Sequence, residues 1–201
     1  MCTWSTVAPE SETEPKAQTV FASRLLPARR HRRRWLVVAL SLAILDFFVL
    51  SALFFVWPAS DTPARVGAVL NLNGADEGAS GNLAVSLEER GTATVLLFSE
   101  GTEPPYCPQV PRVQVVCFLP KPARTVGELR FADQYLRQHH LHSILIVADH
   151  AQTSRVRLLA HRCLPVRSLV VAAPTGWSAL PSEVVYEWGA TLKALFVDRG
   201  C

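Results

Sequence analysis

The stretch SILIVA, residues 143 to 148, followed by DHAQ, residues 149 to 152, decides the fold that this sequence predicts. After its first serine the stretch is apolar at every position, and it stops at an acidic residue beside a histidine. Consecutive apolar positions are typical of strands that are buried on both faces, as in parallel sheets. Similar runs recur along the chain, and together they predict five strands, at Val66 to Leu72, Thr94 to Ser99, Val113 to Phe118, Ser143 to Ala148 and Arg167 to Ala172.

Helical segments follow four of these five strands. The alternation predicts an α/β domain in which helices cover both faces of a mostly parallel five-stranded sheet, in three layers. Thr125 and Glu128 have the spacing of a capping box, which predicts a helix start there. The predicted helices are Gly81 to Arg90, Val126 to His139, Gln152 to Arg162 and Ser182 to Val197.

A long apolar run, WLVVALSLAILDFFVLSALFFVW, occupies residues 35 to 57. Its 23 residues would reach about 34 Å as a helix, which is enough to cross a lipid bilayer. The run is longer than a signal peptide's apolar region and ends at the bulky Trp57, so we expect an uncleaved anchor rather than a cleaved signal. Its one ionisable residue, Asp46, either marks a partner helix or proton path, or is protonated and tolerated.

A cluster of five arginines, Arg29, Arg30, Arg32, Arg33 and Arg34, directly precedes the apolar run. Under the positive-inside rule this flank stays in the cytoplasm. We therefore predict a single-pass plasma-membrane protein with its N-terminus inside and its large domain outside. The segments are a disordered basic tail at 1 to 34, a membrane helix at 35 to 57, a linker at 58 to 65 and the α/β domain at 66 to 201.

The charge of the large domain is balanced. Residues 58 to 201 contain thirteen basic and thirteen acidic side chains. A nucleic-acid-binding domain usually has a basic face and a high pI, so we expect no nucleic-acid partner.

Four of the five cysteines lie in the predicted outer domain, where an oxidising compartment permits disulfides. We favour Cys107 with Cys117, which closes a proline-rich loop, and Cys163 with Cys201, which ties the chain end to the body. The alternative is four free buried thiols. No CxxC or CxxH spacing occurs, so no metal site is expected.

Polar residues follow each predicted strand, and ligands of open α/β sheets bind at that edge, where helix N-termini attract anions. Each residue also has a structural explanation, such as a turn at Asn73 or a helix cap at Glu128. No GxSxG, HExxH, Walker or GxGxxG motif indicates a particular reaction or cofactor, and Glu128 and His150 are the candidates for acid–base catalysis. The predicted ligand-binding residues are Asn73, Gly74, Ser99, Gly101, Thr125, Glu128, Asp149, Gln152 and Arg155.

The order of these segments resembles the bacterial YdcF/SanA/ElyC-like family, a Rossmann-like domain often tethered outside the membrane by one N-terminal helix. The resemblance covers roughly 130 residues from Ala68 onward. It rests on AVLNLNG at 68 to 74, SEG at 99 to 101, TVGE at 125 to 128, ILIVAD at 144 to 149 with Gln152 and Arg155, and EWGATLKAL at 187 to 195.

The resemblance implies a role in cell-envelope maintenance and a pocket for a small anionic or nucleotide-like ligand. Glu128 and Arg155 match the family's polar positions best, whereas Asp149 and Gln152 stand where the family has a serine and a histidine. Three hypotheses follow: a ligand-binding envelope protein, a hydrolase or transferase acting on an anionic envelope precursor, and a non-catalytic module that binds an envelope protein.

Overall fold

A computed structural model describes residues 26–73, 77–100, 107–174, 176, 178, 180–198 and 200–201. The chain divides into two units, one ending at Asp46 and one running from Phe47 to Cys201. Helix α1, Leu26–Ser51, begins at the arginine cluster and ends in a π-helical turn, Ala52–Val56. The stretch His31–Val56 is long and apolar enough to span a membrane. The arginine run is therefore helical, and the predicted disordered tail cannot extend to residue 34.

The second unit contains one sheet of five strands, all parallel, in the order β3-β2-β1-β4-β5. This confirms the predicted α/β fold with a five-stranded parallel sheet that follows one apolar helix. The chain order changes direction between β1 and β4, the position at which open α/β sheets form their ligand clefts. The strands are β1 Ala68–Asn71, β2 Val95–Ser99, β3 Gln114–Phe118, β4 Ser143–Asp149 and β5 Arg167–Ala173.

Helices cover both faces of the sheet, and the core is divided accordingly. Leu70 and Ile146 belong to one buried cluster, while their neighbours Val69 and Leu145 belong to the other. Alternate side chains of a strand point to opposite faces, which is why all of β1 is buried. The helices are α2 Glu77–Glu89, α3 Thr125–Gln138, α4 Thr153–Cys163 and α5 Leu180–Phe196, with a short 3-10 turn at His150–Gln152 before α4.

The start of α3 differs from the predicted capping box. Thr125 is the first helical residue, the N-cap is Arg124, and no side chain caps it. The Glu128 carboxylate instead accepts a hydrogen bond from the Asn73 backbone N–H, so the capping-box prediction is wrong. The loop before α3 also lies close to the first turn of the helix, because a Cβ on Gly127 would collide with the carbonyl oxygen of Pro122.

Two disulfides join the predicted cysteine pairs. Cys107 and Cys117 have Cα atoms 5.9 Å apart, and Cys163 and Cys201 have Cα atoms 5.3 Å apart. Both separations lie in the normal disulfide range. The predicted pairing is confirmed, and it indicates folding in an oxidising compartment.

The π turn at the end of α1 packs on the domain. The His150 ring donates from Nε2 to the carbonyl oxygen of Val56 over 2.8 Å. The Ser154 hydroxyl donates to the carbonyl oxygen of Phe54 over 2.7 Å, and Phe55 is 1% exposed. Carbonyl groups in the last turn of a helix lack partners within the helix, and these side chains supply them.

Candidate functional site

A cleft opens where the strands end, beside the position at which the chain order reverses. It consists of two adjoining cavities of about 540 Å³ and about 450 Å³. Asn73, Gln152 and Tyr186 line both cavities, and we call the combined space the strand-end cleft. Of the predicted ligand-binding residues, it contains Asn73, Thr125, Glu128, Asp149, Gln152 and Arg155.

Glu128 sits in the first turn of α3 and lines the larger cavity. Its side chain is buried, and its Oε1 accepts the Asn73 N–H over 2.8 Å. Burial raises the pKa of the Glu128 carboxyl, and the nearby Asp149 carboxylate adds to the effect. The Ser99 hydroxyl, the Asn73 N–H and the charge of Arg155 oppose the shift only in part. Glu128 is therefore biased toward the protonated form, in which it can donate a hydrogen bond or a proton.

Arg155, from α4, is fixed by a buried ion pair. Its Nε and Nη2 donate to the two carboxylate oxygens of Glu187 over 2.7 and 2.9 Å. Its Nη1 donates to the Thr125 hydroxyl over 3.0 Å. Burial disfavours the charged form, but the Glu187 carboxylate keeps the pKa of Arg155 above its ordinary value. Arg155 thus joins α3, α4 and α5 behind the cleft, with its charge already compensated.

Two buried amide oxygens at this edge lack a hydrogen-bond partner among the described residues. They are Oδ1 of Asn71, the last residue of β1, and Oε1 of Gln152, a residue that lines both cavities. Buried acceptors are nearly always satisfied in folded proteins, so an unsatisfied one at a cavity wall is a place for a donor from a ligand or water. Gln152 is the clearer of the two because it lines the cleft.

Among the described residues that line the cleft, acidic side chains outnumber basic ones. Carboxyl groups come from Glu100, Glu128, Asp149, Glu183 and Glu187, whereas the cations are Arg124 and Arg155. Arg155 pairs with Glu187, and Arg124 pairs with Asp198 over 3.1 Å. The arrangement suits a ligand that offers hydroxyl, amino or amide donors more than one that offers bare phosphate.

The remaining predicted site residues lie elsewhere. Ser99, at the end of β2, is buried beside Glu128 rather than in the cavity lining. His150 bonds to the Val56 carbonyl and is absent from the lining of the cleft. Gly74 and Gly101 are outside the described residues.

Sequence reasoning missed the polar side chains that α5 contributes to the site, which are Ser182, Glu183, Tyr186 and Glu187. Glu187 holds Arg155, and the exposed Tyr186 borders both cavities. The available signal was a glutamate within an otherwise largely apolar helix, because such a carboxylate needs a buried partner if it faces the core.

One group at the border of the cleft has residue types that can bind a metal ion, but its cysteines are not available as ligands. A carboxylate oxygen of Glu100 and the sulfur atoms of Cys107 and Cys117 lie within 4.8 Å of one another. The two cysteines are joined in a disulfide, so neither offers a thiolate to a metal.

Comparison of the chain with models of protein families, with curated proteins and with solved structures found no match.

Proposed function

We propose that this chain is a membrane-anchored, ligand-binding protein of the YdcF/SanA/ElyC-like kind that serves in cell-envelope maintenance. In this proposal α1 crosses the plasma membrane with the arginine cluster inside, and the α/β domain faces outward. The single observation that carries the binding function is the open strand-end cleft, with ionisable side chains in its lining, at the reversal of strand order. A non-catalytic interaction module would be expected to fill this edge with apolar side chains.

The ligand class follows from the lining. The carboxylates and the unsatisfied Gln152 Oε1 favour a small molecule rich in hydroxyl, amino or amide groups. A nucleotide-like ligand would then be recognised through its sugar and base, and a purely anionic ligand would have to compete with Glu187 for Arg155.

Binding is tested on the full chain in nanodiscs. Small molecules that co-purify are identified by mass spectrometry, and thermal shifts are measured with a nucleoside, an amino sugar and inorganic phosphate. We expect the first or second probe to stabilise the chain, and Gln152→Leu to weaken binding about tenfold through loss of one buried hydrogen bond. Gln134→Leu, at an exposed position on α3, is the matched control. Equal affinity in the two variants, or no ligand at all, would contradict the proposal.

Orientation is tested separately, in bacterial spheroplasts, with an impermeant reductant and an impermeant maleimide. We expect the four disulfide cysteines to react only after reduction, and Cys2 to react only after lysis. Labelling of Cys2 on intact spheroplasts would reverse the proposed topology and leave the ligand proposal standing.

A second candidate is supported by the raised pKa of Glu128 in the cleft. Carboxyl groups with raised pKa values in clefts are the usual proton donors of hydrolases and transferases. In this hypothesis Glu128 protonates a leaving group of an anionic envelope precursor. Replacing Glu128 by Gln would abolish turnover, whereas Glu89→Gln, on the exposed end of α2, would leave it unchanged. An active Glu128→Gln variant would remove this hypothesis.

A further inference from the structure

Helix α5 carries an apolar stripe on the side that faces away from the domain. The stripe is large and continuous: Val185 is 73% exposed, Leu192 47% and Phe196 65%. These positions are spaced by seven and four residues, so they lie on one face of the helix. We define the α5 stripe as Val185, Leu192, Leu195 and Phe196, with the half-buried Trp188 at its border.

The opposite face of α5 is the one that packs on the domain. Glu187 and Ala194 are its buried residues, 1% and 2% exposed, and Glu187 is held there by Arg155. A surface helix of a water-soluble domain normally turns its apolar residues inward and its charges outward. Here a carboxylate faces inward and a row of large apolar side chains faces outward. An apolar row of this kind indicates an interaction surface.

Trp188 connects the α5 stripe with the end of α1. Its indole Nε1 donates to the Ser51 hydroxyl over 2.8 Å. Its ring stacks on Phe47 at a centroid distance of 5.3 Å and meets Phe55 edge-on at 5.4 Å. The stripe is therefore continuous with apolar side chains of the helix that is long enough to span a membrane.

The position at which Trp188 contacts α1 gives the depth at which its indole lies in the proposed bilayer. Tryptophans of membrane proteins gather at the lipid–water boundary, which suits Trp57 at the end of the apolar run. Ser51 precedes Trp57 by six residues that are mostly in the π-helical turn, so the Trp188 indole lies at most about 9 Å below that level. Interfacial amphipathic helices bury their apolar face to a depth of roughly 5 to 10 Å. The exposed Tyr186 and Lys193 border the stripe, as amphipathic and basic side chains do at such a boundary.

We propose that α5 docks the α5 stripe into the outer surface of the bilayer that α1 crosses, so that lipid is the occupant of this apolar face. The inference rests on the membrane anchoring in the proposed function and adds a second membrane contact to it. The domain then contacts the membrane through α5 as well as through α1.

The test uses the full chain in vesicles of phosphatidylcholine and phosphatidylglycerol with brominated acyl chains, which quench nearby tryptophan. Single-tryptophan chains retain Trp188 alone, or carry Phe196→Trp in a chain whose native tryptophans are replaced by phenylalanine. A chain with Trp35 alone reports on the anchor, and Glu89→Trp, on the exposed end of α2, is the control away from the stripe. We expect roughly twofold quenching at positions 188 and 196, stronger for bromine near the headgroups than near the chain ends, and none for Glu89→Trp.

Three outcomes would overturn the inference. If Trp35 is unquenched and the chain does not float with vesicles, the anchor fails and the docking with it. If Trp35 is quenched but position 196 is unquenched and open to aqueous acrylamide, the anchor stands and the docking is wrong. If position 196 is shielded from both lipid and acrylamide, a protein, most simply a second copy of this chain, covers the stripe.

Discussion

Replacing Glu187 by glutamine removes the charge that compensates Arg155 and preserves the shape of the side chain. The two side chains are 2% and 10% exposed, so the guanidinium would be left buried with its charge uncompensated. Breaking a buried ion pair by removing one partner costs about 3 to 5 kcal/mol. We therefore expect the unfolding equilibrium constant to rise by roughly two to nearly four powers of ten.

The assay is urea unfolding of the full chain in nanodiscs, followed by circular dichroism at 222 nm. Asp133→Asn is the matched control, because it removes the carboxylate of the exposed Asp133–Arg137 pair and should cost at most about 0.5 kcal/mol. The double replacement of Arg155 and Glu187 by methionine should cost much less than Glu187→Gln, since no unpaired charge remains. A Glu187→Gln variant as stable as the Asp133→Asn control would refute the reasoning.

Three further predictions concern stability. Burial raises the pKa of Glu88 to about 7 from an ordinary 4.5. Between these two pH values the folded state binds more protons than the unfolded state, so the stability of the domain falls as pH rises from 4.5 to 7. We therefore expect Glu88→Gln to raise the melting temperature at pH 8 but not at pH 4. Removing the 38-residue Cys163–Cys201 link by double serine substitution should cost about 4 kcal/mol in urea titration, and equal stability with and without reductant in the native chain would contradict this. Gly127→Ala should destabilise the domain by about 2 kcal/mol or more because the new Cβ would collide with the backbone. Gly189→Ala, where the space around the residue is open, should stabilise α5 by up to about 1 kcal/mol. Equal melting temperatures for the two variants would show that the collision is relieved.

The strands were predictable because their signal is local. β4 and β5 begin at the predicted Ser143 and Arg167 and end one residue later than predicted. An unbroken apolar run of this length is typical of a strand that is buried on both faces of a sheet. The helix boundaries also agree to within a few residues, except that α2 starts at Glu77, four residues before the predicted Gly81.

The site was predictable only as an edge of the sheet. Topology brings Asn73, Glu128, Asp149 and Gln152 to one cleft, and that follows from strand order alone. The pairwise contacts do not follow, because each depends on a long-range approach. Glu128 reaches a backbone N–H 55 residues away, and no local rule distinguishes that partner from the expected N-cap of its own helix.

The position of β1 at the middle of the sheet governs how the domain can assemble. This strand is the first to follow α1, and the strand on its other side is β4, whose Leu145 pairs with Val69. Until synthesis reaches that point, β1, β2 and β3 form at best a half-sheet with an open apolar margin. A ribosome adds residues at about 5 to 20 per second, so the 76 residues between those partners leave that margin uncovered for roughly 4 to 15 seconds. During this interval the margin is exposed to mispairing with a neighbouring nascent chain, which chaperones prevent by covering it.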